Sequence, residues 1–203
     1  MMTDMKSNHL EQEVFTIDCG EIMLREFVSA DLDEFHRLTW QPDIYTYLPG
    51  WNVSREQREE WFIHYELPEN RQFLEAVANN NDIGDLRLRL AIILKQTGAL
   101  IGWCCSGIKE ELPEPNREIM YAVSKDYRSK GYATTASQGM IRYLFDHTSI
   151  HTLSAIALVE NNPSNQVITK CGFQFQSIVK IDEEQYRYYK LDRAQWIHNE
   201  KEQ

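Results

Sequence analysis

The sequence predicts an α/β domain layered around a mixed sheet, and three observations carry that prediction. Apolar residues repeat with strand period and with helix period in alternating blocks along the chain. The run Leu86-Arg-Leu-Arg-Leu-Ala-Ile-Ile-Leu94 alternates at first and is then continuously apolar, as a strand entering a sheet interior does. The stretch Tyr121-Ala-Val-Ser-Lys-Asp-Tyr-Arg-Ser-Lys-Gly-Tyr-Ala-Thr134 reads as a strand end, a polar turn and a helix start. At 203 residues the chain is long enough for one well-buried domain. No linker or repeat divides it, so one domain is expected over 1–203, with an ordered core over about 13–192.

Taken in order, Val14 to Phe27 is a strand or hairpin broken at Cys19-Gly20. Asp31 begins a helix with Leu32, Phe35 and Leu38 on one side. The aromatic stretch Trp40 to Trp51, interrupted by two prolines, is expected as a loop that partly folds into the core and partly lines a substrate cleft. Ser54 with Gln57 three residues on reads as a capping-box start. That helix carries Trp61, Phe62 and Tyr65 and is expected to stop before Pro68, with a second helical segment running through Phe73 to the Asn79–Asn81 run. The strand over 86–94 turns at Thr97-Gly98 into another over 99–108. An acidic, proline-broken loop over 109–116 leads to a strand over 117–123. Lys130 to Asp146 is a helix with Ala133, Ala136, Met140 and Leu144 toward a sheet. A strand over 152–159 follows, then a helix capped by Asn162, with Pro163 at its first position, Lys170 in its last turn and Gly172 beyond its end. Residues 173–181 and 185–191 form a closing hairpin about Asp182-Glu183. The tail from Asp192 is frayed or a short helix.

Composition narrows the function classes. The net charge of −10 lacks the basic footprint that nucleic-acid backbones require, and is compatible with a cationic substrate or simply with solubility. Met1 to Glu13 has no apolar core of a signal peptide and no run reaches membrane-span length, so a cytoplasmic protein without membrane attachment is expected. Cys19, Cys104, Cys105 and Cys171 form no C-x-x-C pair, and the six histidines form no metal-binding pattern. All four cysteines are expected to be reduced, with Cys104 and Cys105 on opposite faces of a strand, and no metal site is indicated.

The chemistry concentrates at Arg128-x-x-Gly131-x-Ala133. Helix N-termini leave N–H groups without intrahelical partners and carry partial positive charge. Such a turn binds anions, and Arg128 and Lys130 add full charges suited to a diphosphate. Each charge-assisted hydrogen bond of that kind contributes about 1.5–3 kcal/mol. Alone, so short a pattern reads equally as a turn glycine beside a solvated helix start. A second element downstream, Asn161-Asn-Pro-Ser164 running into Lys170-Cys-Gly-Phe173, tips the balance. The P-loop pattern G-x-x-x-x-G-K-[ST] is missing, which disfavours general nucleotide binding.

Together with Leu24-Arg25-Glu26-Phe27, Gln41-Pro42, Tyr47-Leu48-Pro49 and Glu118-Ile-Met-Tyr121, these motifs make the chain resemble the Gcn5-related N-acetyltransferase (GNAT) superfamily, and within it the RimJ/RimL-like branch that acetylates ribosomal protein N-termini. The resemblance covers nearly the whole chain. Met120 departs from it, standing where the group usually has glycine, which leaves open whether acyl-chain preference is altered. The resemblance implies a mostly antiparallel sheet, with helices on both faces, splayed between the fourth and fifth strands, 117–123 and 152–159. It further implies acetyl-CoA as donor, no metal, and an amine acceptor such as a peptide N-terminus, a polyamine or an aminoglycoside-like molecule. The pantetheine would pair with the main chain of Tyr121, Ala122 and Val123, the diphosphate with Arg128, Ser129, Lys130, Gly131, Tyr132, Ala133 and Thr134. Asn161 and Ser164 would lie beside the pantetheine and sulfur.

Ser164 is the candidate that hydrogen-bonds or protonates the departing sulfur, its alternative being a plain helix-start serine. Deprotonating an α-amine at neutral pH costs about 1.4 kcal/mol and a lysine about 4.6 kcal/mol. An α-amine therefore needs only a weak base, and a water chain would suffice. Glu118 is the first candidate and Glu183 the second, each equally readable as a structural or surface carboxylate. A non-catalytic acyl-CoA-binding regulatory module is the rival reading, and monomer and homodimer both remain open.

Overall fold

The computed structural model describes residues 14–201, so the expectation for Met1–Glu13 lies outside the described residues. A hairpin of β1 (Thr16–Cys19) and β2 (Ile22–Glu26) leads to α1 (Leu32–Thr39) and a short α2 (Pro42–Tyr45). Next come α3 (Arg55–Trp61), a π-helical turn (Phe62–Glu66) and α4 (Leu67–Ala78). The chain then forms β3 (Leu88–Leu94), β4 (Ala99–Ile108), β5 (Arg117–Val123), α5 (Tyr132–His147), β6 (Thr152–Leu158) and α6 (Asn162–Lys170). It closes with β7 (Gln174–Ile181), β8 (Glu184–Asp192) and α7 (Arg193–Lys201). All eight strands form one sheet in the order β1-β2-β3-β4-β5-β6-β8-β7, antiparallel except for the parallel pair β5 and β6. The expected α/β layered class is what the chain adopts; the opening hairpin counts as two strands, so the fifth and sixth are the parallel pair.

Two apolar layers sandwich the sheet. On one face Leu24, Ile92, Ile101, Cys104, Ile119 and Val123 pack against Ala136, Met140, Ile141 and Leu144 of α5. On the other, Ala91, Trp103 and Ala122 pack against Phe35 and Leu38 of α1 and against Phe62. Aromatic contacts dominate this second layer: Trp103 stacks on Trp51 at 5.2 Å, and Phe35 meets Trp103 edge-on at 5.2 Å. Cys104 and Cys105 face opposite layers, and all four cysteines are free.

Four local expectations are corrected. The helix from Ser54 does not stop before Pro68. Ser54 caps it, accepting from the Gln57 N–H at 3.2 Å, but the chain then passes through the π-helical turn straight into α4. Proline has no N–H to offer an α-helical partner, and here it sits in the first turn of α4, where none is needed. The stretch 40–51 contains a helical turn, α2, with Ile44 buried, while Trp51 both enters the core and lines a cleft. The helix expected from Lys130 begins at Tyr132, because Gly131 is left-handed (φ 83°) and cannot be helical. Finally, α6 is capped by Asn161, not Asn162, and Pro163 follows Asn162 inside the first turn.

Candidate functional site

The parallel neighbours β5 and β6 are in register only at Glu118 and Ser154. Beyond that point each strand keeps its antiparallel partner on its other side, β4 and β8, while the two part from one another. The Ala122 carbonyl faces β4, since it is the atom that a Cβ on Gly102 would meet at 2.2 Å. Main-chain groups of successive strand residues point to opposite edges. Those of Tyr121 and Val123 therefore face the gap; apart from the Val123 carbonyl, which accepts from Arg128 Nε, they are edge groups that a linear amide can join. The absence of a side chain at Gly102 is what lets β4 and β5 approach this closely. Gly102→Ala should push β5 off its partner at a cost of about 1–3 kcal/mol. Thermal unfolding checks this: an unchanged midpoint would mean β5 is not held so tightly.

The gap opens toward the turn after β5. Ser129 (φ 60°) and Gly131 (φ 83°) are both left-handed, and α5 starts on Gly131 with no capping side chain. Its first intrahelical bond is Thr135 N–H to the Gly131 carbonyl at 3.0 Å. The amides of Tyr132, Ala133 and Thr134 thus precede any partner within this 16-residue helix. Alternating handedness in such a turn gathers N–H groups into an anion-binding concavity. No atom lies within 4 Å of where a Gly131 Cβ would stand, so the approach is open.

The two cations of the motif behave differently. Arg128 is turned back: its Nη2 donates to the Asp43 carbonyl at 2.7 Å and its Nε to that of Val123 at 3.3 Å. Lys130 is exposed, its Nζ 5.6 Å from the Tyr127 ring centre. The Gln41-Pro42 pair gains a structural reason. The buried Gln41 donates to Ser124 Oγ at 3.0 Å and accepts from the Lys125 N–H at 3.2 Å, fixing the turn.

Across the gap, Asn161 is buried with its Oδ1 committed to the Ser164 N–H at 3.2 Å. Tyr121 spans the gap, its hydroxyl donating to the Ser164 carbonyl at 3.0 Å. Burial holds the Tyr121 phenol protonated, well above its usual range. Asn165 donates to the carbonyls of Leu158 and Asn161 and accepts from the Tyr189 hydroxyl at 2.8 Å. Both main-chain groups of Ser164 are engaged, which fixes the backbone of this half-buried residue.

Glu118 lies at the point where β5 and β6 diverge, on the sheet face shared with Met120 and Ala122. Burial pushes its carboxyl up to about 7, with Lys109 and Arg87 opposing and Glu111 adding to the rise. Part of Glu118 reaches solvent, which suits proton exchange. Met120, beside it on the same face, contacts Cys105 sulfur to sulfur at 3.9 Å. Glu183 is not brought to this place. It sits at the exposed tip of the β7–β8 hairpin, paired with Lys180 at 3.5 Å.

Trp51, in the stretch expected to line a substrate cleft, does line one with the aromatic residues Trp61 and Tyr65, whereas the charged residues beside them, Arg58, Glu66 and Arg89, were not singled out from the sequence. This cleft of about 550 Å³ between the α3–α4 segment and the start of β3 is lined by Trp51, Arg58, Trp61, Tyr65, Glu66 and Arg89, among others. Arg87 also lines it, and its side chain lies over Gly107, which pairs with Glu118. The cleft therefore borders the Glu118 face. Among the described residues, no group of three or more His, Cys, Asp or Glu side chains is placed to hold a metal ion. No helix among the described residues is long and apolar enough to cross a membrane.

The chain is similar to known proteins in sequence and in fold. The family model of the acetyltransferase (GNAT) domain matches residues 21–174. An uncharacterized N-acetyltransferase, YnaD of Bacillus subtilis (strain 168), is 25% identical over 164 residues, covering 81% of this chain and 85% of that protein. The ribosomal-protein-S5-alanine acetyltransferase of Vibrio fischeri superposes with a TM-score of 0.70 at 15% identity, over 90% of this chain and 98% of that one. The aminoglycoside acetyltransferase AAC(6')-Ib in complex with coenzyme A superposes with a TM-score of 0.69 at 15% identity, over 88% and 99%. At such identities these two structures speak for the fold, while the family model spans most of the chain: the protein belongs to the GNAT acetyltransferase family.

Proposed function

We propose that the protein is an acetyl-CoA-dependent N-acetyltransferase that acts on a primary amine, carried by a peptide N-terminus or by a small molecule. The observation that carries this reading is the continuity between two features: the edge of β5 at Tyr121–Val123 that β6 leaves free and the uncapped amides at the start of α5. Residues of this kind fit coenzyme A. The main-chain groups of Tyr121 and the N–H of Val123 pair with the pantetheine amides, and the amides of Tyr132, Ala133 and Thr134 with Lys130 receive the diphosphate. In this reading Arg128 supports the turn through Asp43 and Val123. Asn161 acts likewise through the first turn of α6.

Acetyl-CoA supplies a thioester whose carbonyl carbon accepts the amine nitrogen; the C–N bond forms, the C–S bond breaks and the thiolate leaves. The protein's part is mainly position. A main-chain N–H on the gap side of β5 stabilises the developing oxyanion. Glu118, with its carboxyl near 7, takes the proton that the amine loses. The Ser164 hydroxyl, carried by that fixed backbone, hydrogen-bonds the departing sulfur. The fold relationship to enzymes acting on a ribosomal protein and on aminoglycosides supports an amine acceptor without choosing between the two.

Thiol release from acetyl-CoA with a panel of peptides and small amines tests the reading. Turnover dependent on one class of amine is expected. Coenzyme A binding without turnover on any amine would instead make this a non-catalytic acyl-CoA-binding module, and failure to bind would remove both.

A further inference from the structure

Two guanidinium groups are buried at the base of the cleft. Arg58 is 1% exposed and lies 4.8 Å from the Phe35 ring centre and 5.8 Å from that of Trp51. Its Nη1 donates to Glu66 Oε1 at 3.2 Å and its Nη2 to the Trp51 carbonyl at 2.8 Å. Arg89 is 7% exposed. Its main chain is clamped by the Asn70 side chain, through the N–H at 2.7 Å and the carbonyl at 2.6 Å. Its Nη1 approaches Glu66 Oε2 at 3.7 Å, beyond hydrogen-bond distance.

The unmet hydrogen-bonding capacity is lopsided. Arg58 Nε, Arg89 Nε and Arg89 Nη1 are buried donors without partners, against one buried acceptor, Glu66 Oε2. Each unpaired buried group of this kind is costly, and a charged one more so. At the buried base two positive charges, Arg58 and Arg89, face one negative charge, Glu66; nearer the mouth Arg87 stands with Glu60 and Glu69, so the unmet donors and not a net charge of the cleft mark the base. A carboxylate offers two oxygens and four lone pairs, and a planar guanidinium is shaped to receive them. A cation would find one acceptor there and two like charges. The walls, Trp51, Trp61 and Tyr65, supply apolar surface for the rest of such a ligand.

Resting on the N-acetyltransferase reading, we infer that this cleft selects amine substrates that carry a carboxylate, which Arg89 binds with Arg58 behind it. Arg89 and Glu118 stand two strands apart on the same sheet face, in rows one pair removed. With strands about 4.8 Å apart and residues about 3.3 Å apart, their Cα atoms are separated by roughly 12 Å. An acceptor that reaches both places its amine and its carboxylate at opposite ends. The preference for a carboxylate end comes from the unpartnered guanidinium donors at the base of the cleft.

The carboxylate could belong to an acidic side chain of a peptide or to a small amino-acid-like amine, and matched pairs separate the two. Peptides with aspartate or asparagine at the second or third residue form one arm. Small amines bearing a carboxylate or the corresponding amide form the other. In at least one arm the wild-type protein is expected to favour the carboxylate member by 10-fold or more in kcat/KM, mostly through KM, and less so at high salt. Arg89→Met should bring that ratio close to one. A wild-type ratio of one or below in both arms, or a ratio that survives Arg89→Met, overturns the inference; the wild-type ratio decides even if the variant does not fold. Should no amine be turned over, the N-acetyltransferase reading fails separately. Quenching of tryptophan emission by the same pairs, without acetyl-CoA, then decides on the subsite. Carboxylate-selective quenching lost in Arg89→Met retains it, and equal or no quenching removes it.

Discussion

Gly131→Val is expected to weaken coenzyme A binding by on the order of 100-fold or more, with little loss of fold. Its φ of 83° is open to glycine and poorly accessible to a β-branched residue. There is space for the new side chain, since nothing lies within 4 Å of the Cβ position, so the penalty is conformational and not steric crowding. A left-handed L-residue costs about 1–2 kcal/mol. The turn escapes that cost by rearranging, and the amides of Tyr132, Ala133 and Thr134 then lose their common aim. Losing two charge-assisted hydrogen bonds at about 1.5 kcal/mol each already amounts to about 100-fold in affinity. Titration of coenzyme A against both proteins, with circular dichroism to confirm folding, gives the answer. Unchanged affinity would place the diphosphate elsewhere.

Glu118→Gln is expected to lower kcat/KM for an α-amine acceptor by on the order of 10²–10⁴-fold, the usual contribution of a positioned base. Wild-type kcat/KM should rise with pH through about 7 as Glu118 deprotonates, and that limb should vanish in the variant. Stability moves the other way. A carboxyl at about 7 when folded, against 4.5 as its ordinary value, binds its proton more tightly in the native state. Between those values the native protein holds more protons than the unfolded chain, so stability falls as pH rises, by roughly 3 kcal/mol in all. Glutamine removes this dependence. The variant should be less active yet more stable than the wild type at pH 8, a combination that a merely structural carboxylate would not give. Full activity with the limb intact would move the base to another group or to water.

Much of this was legible in the sequence because burial leaves periodic marks. The run 88–94 is wholly buried, and the turn at Gly98 and the hairpin tip at Asp182 carry the positive φ values that glycine and aspartate signal. Gly131 was legible as a small residue in a turn open to a ligand, though not its left-handed φ, nor that the helix would wait one residue beyond it. Pro68 misled, because a proline read as a stop also serves in the first turn of a helix fed by a π turn. The parting of β5 from β6 leaves no local mark and came only through family resemblance. The charged base of the cleft, unlike its aromatic wall, was hidden for a different reason. Arg87 and Arg89 alternate with leucines as if facing water, yet helical residues Arg58 and Glu66, remote in sequence, cover that face. Alternation told which side of β3 the arginines occupy; only the packing of α3 and α4 told that the side is enclosed.

The most direct test is a crystal structure with coenzyme A bound. Phosphate oxygens within about 2.7–3.2 Å of the Tyr132, Ala133 and Thr134 amides, with the pantetheine lying between β5 and β6 along Tyr121–Val123, are predicted. A ligand whose phosphates rest on other residues, or β5 and β6 found paired along their full length with no chain between them, would contradict the account.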